Sequence, residues 1–227
     1  MKLSNPFILQ RADPHICRHD GHYHFTASVP EYDRVVLRRA PSLAGLAAAE
    51  EKTLWTAPAE GPASSLVWAP ELHRADGVWH VYFAAAPSRQ IKDGLFQHRM
   101  YALRNPAADP MRGQWTFAGQ VDSGIDAFCL DATRFEHRGR AYYLWAQKHP
   151  DIPGNSNLYI APMRDGTHIG GEPVLLTRPE FDWEVQGFLV NEGPSVLIRH
   201  GKVFVSYSAS ATDERYAMGC LLYTSPS

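Results

Sequence analysis

The sequence predicts an all-β protein, and specifically a β-propeller, from three observations. Four glycines (Gly21, Gly77, Gly139 and Gly201) follow one another at intervals of 56, 62 and 62 residues. Each lies in a polar turn between a short apolar segment and a segment rich in aromatic or β-branched residues, which is typical of a β-hairpin. Further strand-like segments follow each hairpin. Antiparallel strands that recur in groups of about four along the chain are typical of propeller blades.

The additional strand candidates follow each hairpin in the same order. A third strand is predicted at 34–38, 100–103, 157–161 and 217–221, and a fourth at 53–55, 115–117 and 174–176. Only residues 43–50 have a helical composition, and we interpret them as a bend or a single turn. The fourth unit ends after its third strand, near Leu222. Because a propeller closes into a ring to hide its strand edges, we expect residues 1–227 to form a single propeller domain that lacks its C-terminal blade.

The composition argues against several classes of partner. The chain carries 22 basic and 24 acidic residues in mixed order, so no basic stripe indicates a nucleic acid and no polybasic segment indicates a membrane surface. Cys17, Cys129 and Cys220 are widely spaced and form no CxxC pair, so we expect reduced, buried thiols. No apolar leader follows Met1, and we therefore expect a cytoplasmic location.

Three acidic residues lie near the start of the first strand in their units. Asp13 and Asp131 are each eight residues before the turn glycine, and Glu192 is nine residues before it. Since the innermost strands of a propeller line one channel, we expect the three carboxyl groups to meet at one mouth of that channel. Clustered carboxylates repel one another, and such clusters are enriched at functional sites. The alternatives are three independent, solvated acids and a cation site that the acids share.

Four short motifs carry a resemblance to a known family. They are Ala-Asp-Pro at 12–14, Trp-Ala-Pro-Glu at 68–71, Leu-Asp-Ala-Thr at 130–133 and Asn-Glu-Gly-Pro at 191–194. In this order and at these spacings, the sequence resembles glycoside hydrolase family 43, and within it the α-L-arabinofuranosidase-like members. The resemblance implies a catalytic domain of the five-bladed β-propeller type, here incomplete with about four blades. It also implies a fifth blade with a histidine near a central ion, and this chain lacks that segment.

The resemblance implies a role for each acid. Asp13 would be the general base that activates water, Glu192 the general acid that protonates the leaving oxygen, and Asp131 the third acid that positions Glu192. The chemistry agrees, since an inverting glycosidase needs one ionised and one protonated carboxyl group with room for a water molecule between them. A neighbouring negative charge keeps a carboxyl group protonated. Asp126 is a rival for the third role, but Asp131 has the eight-residue offset of the repeat.

Three further residues are candidates for substrate binding. Trp68 is a candidate wall of the sugar site, and a core aromatic between blades is an equal alternative. Gln147 and Ser208 follow the second strands of their units. The eleven histidines predict no metal site, because those at positions 19, 137 and 200 lie beside turns and those at 22 and 24 belong to a hairpin strand.

The sequence therefore predicts an inverting glycoside hydrolase that cleaves terminal α-L-arabinofuranosyl residues from arabinan, arabinoxylan or derived oligosaccharides. We expect arabinose- or xylose-containing carbohydrates as partners, with no nucleic acid and no membrane. The chemistry requires no cofactor, and the expected histidine ligand of a central structural cation is absent. The alternatives are a β-xylosidase of the same family, a retaining fructosidase-like propeller, whose motifs match less well, and a propeller fragment that binds carbohydrate without catalysis.

Overall fold

The computed structural model describes residues 5–223 as four consecutive antiparallel sheets, which are the blades of a β-propeller. Blade 1 consists of β1 (Ala12–His19), β2 (His22–Ser28), β3 (Arg34–Ala40) and β4 (Lys52–Thr56). Blade 2 consists of β5 (Ser65–Ala75), β6 (Val78–Ala86), β9 (Arg99–Asn105) and β10 (Thr116–Gln120), and a small separate hairpin, β7 (Ile91–Lys92) and β8 (Leu95–Phe96), is inserted in it. Blade 3 consists of β11 (Cys129–His137), β12 (Arg140–Gln147), β13 (Asn157–Pro162) and β14 (Val174–Thr177). Blade 4 consists of β15 (Asn191–Arg199), β16 (Lys202–Ala209) and β17 (Ala217–Tyr223).

The predicted all-β fold is confirmed, and so are the strand candidates, with small shifts at their ends. β10 begins at Thr116 rather than Trp115, and the segment 43–50 contains a 3-10 helix at Ala44–Ala47. The short β7–β8 hairpin was not predicted. β17 extends to Tyr223, and residues 224–227 lie outside the described part of the chain. Among residues 5–223, no helix is both long and apolar enough to cross a membrane.

The four glycines that reveal the repeat form the predicted tight turns. Each is the second residue of a two-residue loop in which both residues have positive φ, for example Asp76 at 51° and Gly77 at 79°. These are the conformations of a type I′ turn, whose twist matches that of the two strands it joins. The turns hold β1–β2, β5–β6, β11–β12 and β15–β16 in register, so each blade presents its first strand at the same depth.

A β-bulge recurs at the same place in the first strand of every blade. In blade 1, Ala12 pairs with Ser28 and His15 with Thr26, so β1 contains one residue more than β2 between these pairs. Equivalent register shifts occur in β5, β11 and β15. The residue that follows the first pair has positive φ in all four strands: Asp13, Ala69, Asp131 and Gly193, at 50°, 44°, 50° and 58°. A bulge leaves backbone N–H groups out of the strand ladder, and this accommodates the prolines at 14, 70 and 194.

The hydrophobic core lies between neighbouring blades. Blades 1 and 2 share one cluster that includes Val35, Leu37, Trp79 and Phe83. Blades 2 and 3 share a second, with Tyr82, Met100, Tyr143 and Trp145, and blades 3 and 4 share a third, with Leu144, Val203 and Val205. Aromatic residues therefore serve mainly as packing between sheets. The three cysteines are free, but only Cys129 is fully buried, and Cys220 is exposed, so the expectation that all three thiols are buried is wrong.

Candidate active site

Two of the three predicted acids line one cavity of about 580 Å³ at the bulged ends of the inner strands, and the third lies near them. Asp13 and Asp131 line it. Glu192 lies close enough to Asp131 to raise its pKa, and close enough to Asp13 for the charge of Asp13 to raise the pKa of Glu192. The remaining lining comes from all four blades and includes His15, Ala69, Glu71, His73, Thr133, Arg134, Gly193, Ser195, Ser208 and Tyr216. The repeat therefore brings together carboxyl groups that are separated by more than sixty residues in the sequence.

A buried serine links the Asp13 carboxylate to the neighbouring blade. Ser28, 2% exposed, donates its hydroxyl hydrogen to Oδ2 of Asp13 at 2.8 Å. The same hydroxyl oxygen accepts the N–H of Ala69, also at 2.8 Å. Because Ala69 occupies the bulge of blade 2, the free N–H of that bulge fixes the serine, which in turn orients the carboxylate of blade 1. The carboxylate itself is exposed to the cavity and accessible to water.

Asp131 is held by the bulge of the next blade. The N–H of Gly193 donates to its Oδ2 at 3.0 Å. Burial raises the pKa of Asp131 well above its ordinary range, and the charges of Glu192, Asp13 and Glu71 raise it further, against the lowering effect of the Gly193 N–H. Positive φ in a non-glycine residue costs free energy, and such strain concentrates at functional sites. Asp131 is therefore fixed rigidly beside Glu192.

Glu192 has the environment of a proton donor. Burial raises its pKa, and the charge of Asp13 adds to the effect, whereas a hydrogen bond from the Tyr216 hydroxyl to Oε1, at 2.9 Å, lowers it. Repulsion between carboxylates is mutual, so the Asp131–Glu192 pair retains a proton to a higher pH than an isolated carboxyl group does. Asp13, by contrast, is exposed and accepts a hydroxyl hydrogen. The site therefore combines an exposed carboxyl group, Asp13, with a carboxyl pair whose pKa values are raised.

Ser208, a candidate for substrate binding, lines the cavity, and its repeat partner Ser28 was missed by the sequence analysis. Ser28 and Ser208 each lie seven residues after a turn glycine, and the equivalent positions in blades 2 and 3 are alanines at 84 and 146. Ser28 pairs with Ala12, and Ser208 pairs with Glu192. A serine at this position therefore occurs only in blades 1 and 4, the blades that carry Asp13 and Glu192. Alignment of the repeat beyond the acids themselves would have identified Ser28.

Two predicted binding residues and the rival acid lie outside the residues that line the cavity. Trp68 stacks on His98 with ring centroids 3.9 Å apart and packs against the blade 2–3 core. Gln147 is fully buried, and its amide holds the loop that precedes β11 through Ser123 and the backbone of Ile125. Asp126 forms an ion pair with Arg99, and its side chain is 95% exposed. The contacts of Trp68 and Gln147 therefore support the fold around the cavity.

A buried glutamate that the sequence analysis missed supports the strand that carries Glu192. Glu184 is 0% exposed and lies in the loop between β14 and β15. Its Oε2 accepts the N–H groups of Glu180 and Phe181, both at 2.9 Å, and its Oε1 accepts the Tyr207 hydroxyl at 2.7 Å and the Asn191 amide at 3.4 Å. Four donors on one carboxylate tie the loop to β15 and β16. No repeat position or motif marks this residue in the sequence.

The substitution Glu184→Gln is expected to destabilise the fold by about 2 to 3 kcal/mol. Each carboxylate oxygen of Glu184 accepts from two donors, and the NH₂ group of glutamine would replace one of these oxygens with a donor. In thermal unfolding, this corresponds to a decrease in Tm of roughly 4–12 °C for a domain of this size. Glu180→Gln is the matched control, since the Glu180 side chain lies in the same loop and is 54% exposed. Equal decreases in Tm for the two variants would show that the four donors do not require a carboxylate.

One group of side chains among residues 5–223 has the spacing of a metal site. Single ligand atoms of His15, Glu71 and His73 lie within 4.8 Å of one another on the cavity wall. However, Nδ1 of His15 accepts the N–H of Leu72 at 3.2 Å, and burial lowers the pKa of His15 to about 4, so the ring is neutral with its hydrogen on Nε2. This Nε2 is the atom that faces Glu71. His73 Nε2 lies 2.8 Å from the same carboxylate. Within the group, His73 and Glu71 are therefore joined by a hydrogen bond, and the backbone of Leu72 occupies Nδ1 of His15.

A second cavity, of about 590 Å³, lies at the turn end of β5 and is lined by residues such as His80, Arg104, Asp165 and His168. The Asp165 carboxylate accepts hydrogen bonds from Thr167 and His168 of its own loop, and these lower its pKa although its burial alone would raise it. The mutual effects on ionisation among Asp13, Asp131 and Glu192 therefore make the first cavity the candidate active site.

Comparison with known proteins gives consistent matches along the whole chain. The model of the family described as glycosyl hydrolases family 43 matches residues 3–227. An extracellular exo-α-(1→5)-L-arabinofuranosidase of Streptomyces chartreusis is 48% identical over 95% of this chain and 65% of its own length. A relative of the same name from Streptomyces avermitilis is 48% identical over 96% of this chain and 45% of its own length. The crystal structure of an α-L-arabinofuranosidase from Lactobacillus brevis matches with a TM-score of 0.94 at 53% identity, over 97% of this chain and 70% of that chain. This chain therefore spans less than two thirds of the length of either Streptomyces relative.

The expected cytoplasmic location is wrong. Both Streptomyces relatives are named as extracellular enzymes. The expectation rested only on the absence of an apolar leader in the first residues of the sequence. That observation describes a few residues and carries no information about the compartment in which the folded domain works.

Proposed function

The chain belongs to glycosyl hydrolase family 43, as its motifs predicted, and we propose that it acts as an inverting glycosidase that removes terminal α-L-arabinofuranosyl residues from arabinose-containing carbohydrates. The observation that carries the proposal is the single cavity in which an accessible carboxylate, Asp13, lies near a carboxyl pair with raised pKa values, Asp131 and Glu192. Inverting hydrolysis needs this division between a base and an acid.

In the proposed reaction, Asp13 acts as the general base. Its Oδ2 is occupied by the Ser28 hydroxyl, so Oδ1 is free to accept a proton from a water molecule in the cavity. The oxygen of that water attacks the anomeric carbon of the terminal sugar from the face opposite the leaving group. The bond from the anomeric carbon to the glycosidic oxygen breaks at the same time, and the configuration at the anomeric carbon is inverted.

Glu192 acts as the general acid in the same step. Its proton passes to the glycosidic oxygen as the bond breaks, so the leaving sugar departs as a neutral alcohol and Glu192 becomes a carboxylate. Asp131 contacts no reacting atom in this scheme. It is a positioning residue whose placement beside Glu192 creates the coupled carboxyl pair that retains a proton before the reaction. Carboxyl groups and water account for every proton that moves, and no step requires a cofactor.

The proposed substrates are arabinan, arabinoxylan and their oligosaccharides, and the proposed location is outside the cell. Support comes from the names of the two Streptomyces relatives, which specify extracellular exo-acting arabinofuranosidases. The β-xylosidase alternative has no comparable support among these relatives. Against the non-catalytic alternative stands the grouping of Asp13 and Asp131 on one cavity with Glu192 near enough to raise the pKa of Asp131.

The stereochemical course of the reaction tests the proposed function. When an α-L-arabinofuranoside is hydrolysed in the NMR tube, we expect the β-anomer of arabinose to form first and the α-anomer to appear only as the sugar mutarotates, because one displacement inverts the anomeric carbon. The mutarotation rate of free arabinose under the same conditions is the control. If the α-anomer formed first, the reaction would proceed with retention, as in the fructosidase-like alternative, and the assignment of Asp13 as a base would fail.

A further inference from the structure

Tyr216 is the hydrogen-bond partner of Glu192, and no motif of the sequence pointed to it. It lies in the loop 210–216 between β16 and β17, lines the active-site cavity and is 42% exposed. Its hydroxyl donates to Oε1 of Glu192 at 2.9 Å. We propose that Tyr216 is a positioning residue of the proton donor, which occupies Oε1 of Glu192 so that the transferable proton is carried by Oε2. This inference rests on the proposed function.

The loop that carries Tyr216 is braced so that its hydroxyl has a fixed position. The N–H of Tyr216 donates to the carbonyl oxygen of Asp213, and the Asp213 carboxylate pairs with Arg215. The loop is also tied to the segment that precedes β15, since the N–H of Ala211 donates to the carbonyl oxygen of Gln186 at 2.9 Å. Donor and acceptor are therefore held in one connected unit, which is the condition for a hydrogen bond to orient a catalytic group.

The hydrogen of the Tyr216 hydroxyl is available to Glu192 throughout the relevant pH range. Burial and the charge of Glu192 raise the pKa of Tyr216, so it remains a phenol. The bond to Glu192 is stronger when Glu192 is a carboxylate, because hydrogen bonds to an ionised acceptor are stronger than those to a neutral one. Tyr216 therefore stabilises the charge that appears on Glu192 as its proton leaves.

Other charged or titratable groups line the same cavity, and Arg134 of β11 is the cation among them. The acidic side chains on this cavity are Asp13 of β1, Glu71 of β5 and Asp131 of β11, and the histidines are His15 and His73. The charge of Asp13 and the burial of Glu192 raise the pKa of the proton donor, and Tyr216 lowers it. Within the Tyr216 loop, Asp213 and Arg215 neutralise each other. Removal of the Tyr216 hydroxyl should therefore raise the pKa of Glu192.

The test is Tyr216→Phe, which preserves the ring and deletes only the hydroxyl. The pKa of Glu192 is measured directly by NMR on protein with ¹³C-labelled glutamate, with the signal assigned through Glu192→Gln. We expect the pKa to increase by about one unit, the equivalent of a tenfold change in the acid equilibrium. The basic limb of the kcat/KM profile should move upward with it. For unactivated arabino-oligosaccharides, kcat/KM should decrease about tenfold, with little change for an aryl arabinofuranoside that needs no acid assistance.

Tyr223→Phe is the matched control, because Tyr223 is the last residue of β17, the strand that follows this loop, and is similarly exposed at 40%. It should leave the pKa of Glu192 and both rates unchanged. An unchanged pKa of Glu192 in Tyr216→Phe, or an equal decrease in rate for both substrates, would overturn the inference. If the pKa shifted as expected in a protein that hydrolyses no arabinofuranoside, the proposed function would fail while the Tyr216–Glu192 interaction stood.

Discussion

Glu192→Gln is expected to slow the hydrolysis of arabino-oligosaccharides by roughly 10²–10⁴-fold while slowing a dinitrophenyl arabinofuranoside far less. Glutamine keeps the shape of the side chain and an oxygen that can accept the Tyr216 hydroxyl, but it has no proton to transfer. A sugar is a poor leaving group unless its oxygen is protonated, whereas a dinitrophenolate leaves without help. The ratio of the two rates therefore measures acid catalysis alone.

The pH dependence gives a second readout of the same substitution. Because burial and the charge of Asp13 raise the pKa of Glu192, its protonated form persists to a higher pH than that of an ordinary glutamate. Activity on oligosaccharides should decrease as the pH rises through that pKa, and this basic limb should be absent in Glu192→Gln. Glu172→Ala is the control, because Glu172 is exposed and lies outside the residues that line the cavity, and it should change neither rate. Equal losses on the two substrates, or a retained basic limb, would assign the proton donor to another group.

The fold was predictable from the sequence because its repeat is encoded in local turn chemistry. A glycine with positive φ is needed at each type I′ turn, and the four glycines mark the hairpins whatever the intervening sequence is. The β7–β8 hairpin escaped prediction because its strands contain two residues each, which is too few for an alternating pattern. The arrangement of four blades could thus be predicted from one requirement, a glycine with positive φ in each hairpin turn.

The acids were predictable for the same reason, but their supports were not. Asp13 and Asp131 occupy the residue with positive φ in the bulge, and Glu192 precedes that residue, which explains its offset of nine rather than eight. The bulge itself leaves no mark in a hydrophobic pattern apart from the prolines that follow it. Tyr216 and Glu184 lie in loops, where no periodicity constrains the sequence, and only the folded chain brings Tyr216 to Glu192 and Glu184 to the neighbouring Asn191.

Trp68 and Gln147 show where reasoning from repeat position is least informative. Both lie close in sequence to residues at the mouth of the channel, but their side chains contribute to packing and to loop support. In a strand, neighbouring side chains point to opposite faces, so an error of one residue separates a channel position from a core position. The bulge adds such a one-residue shift at this very place. Both residues stay candidates for substrate binding, with structural roles that the described contacts explain.

Asp13→Asn is expected to slow hydrolysis by roughly 10²–10⁴-fold on oligosaccharides and on activated aryl arabinofuranosides alike. Activation of water is needed whichever group leaves, so loss of the base cannot be compensated by a better leaving group. Asparagine retains an oxygen that can accept the Ser28 hydroxyl, so the bulge and its positive φ should persist. The rate ratio between the two substrates should therefore stay near its original value, in contrast to that of Glu192→Gln.

Asp126→Asn is the matched control for this prediction, because it makes the same chemical change at the aspartate that rivalled Asp131 in the sequence. The Asp126 side chain is 95% exposed and paired with Arg99, outside the residues that line the cavity. Its activity should equal that of the unmodified protein, since exposed ion pairs contribute little to stability. A loss of activity restricted to poor leaving groups in Asp13→Asn would exchange the roles of Asp13 and Glu192. An unimpaired Asp13→Asn variant would instead show that attack at the anomeric carbon needs no carboxylate at this bulge.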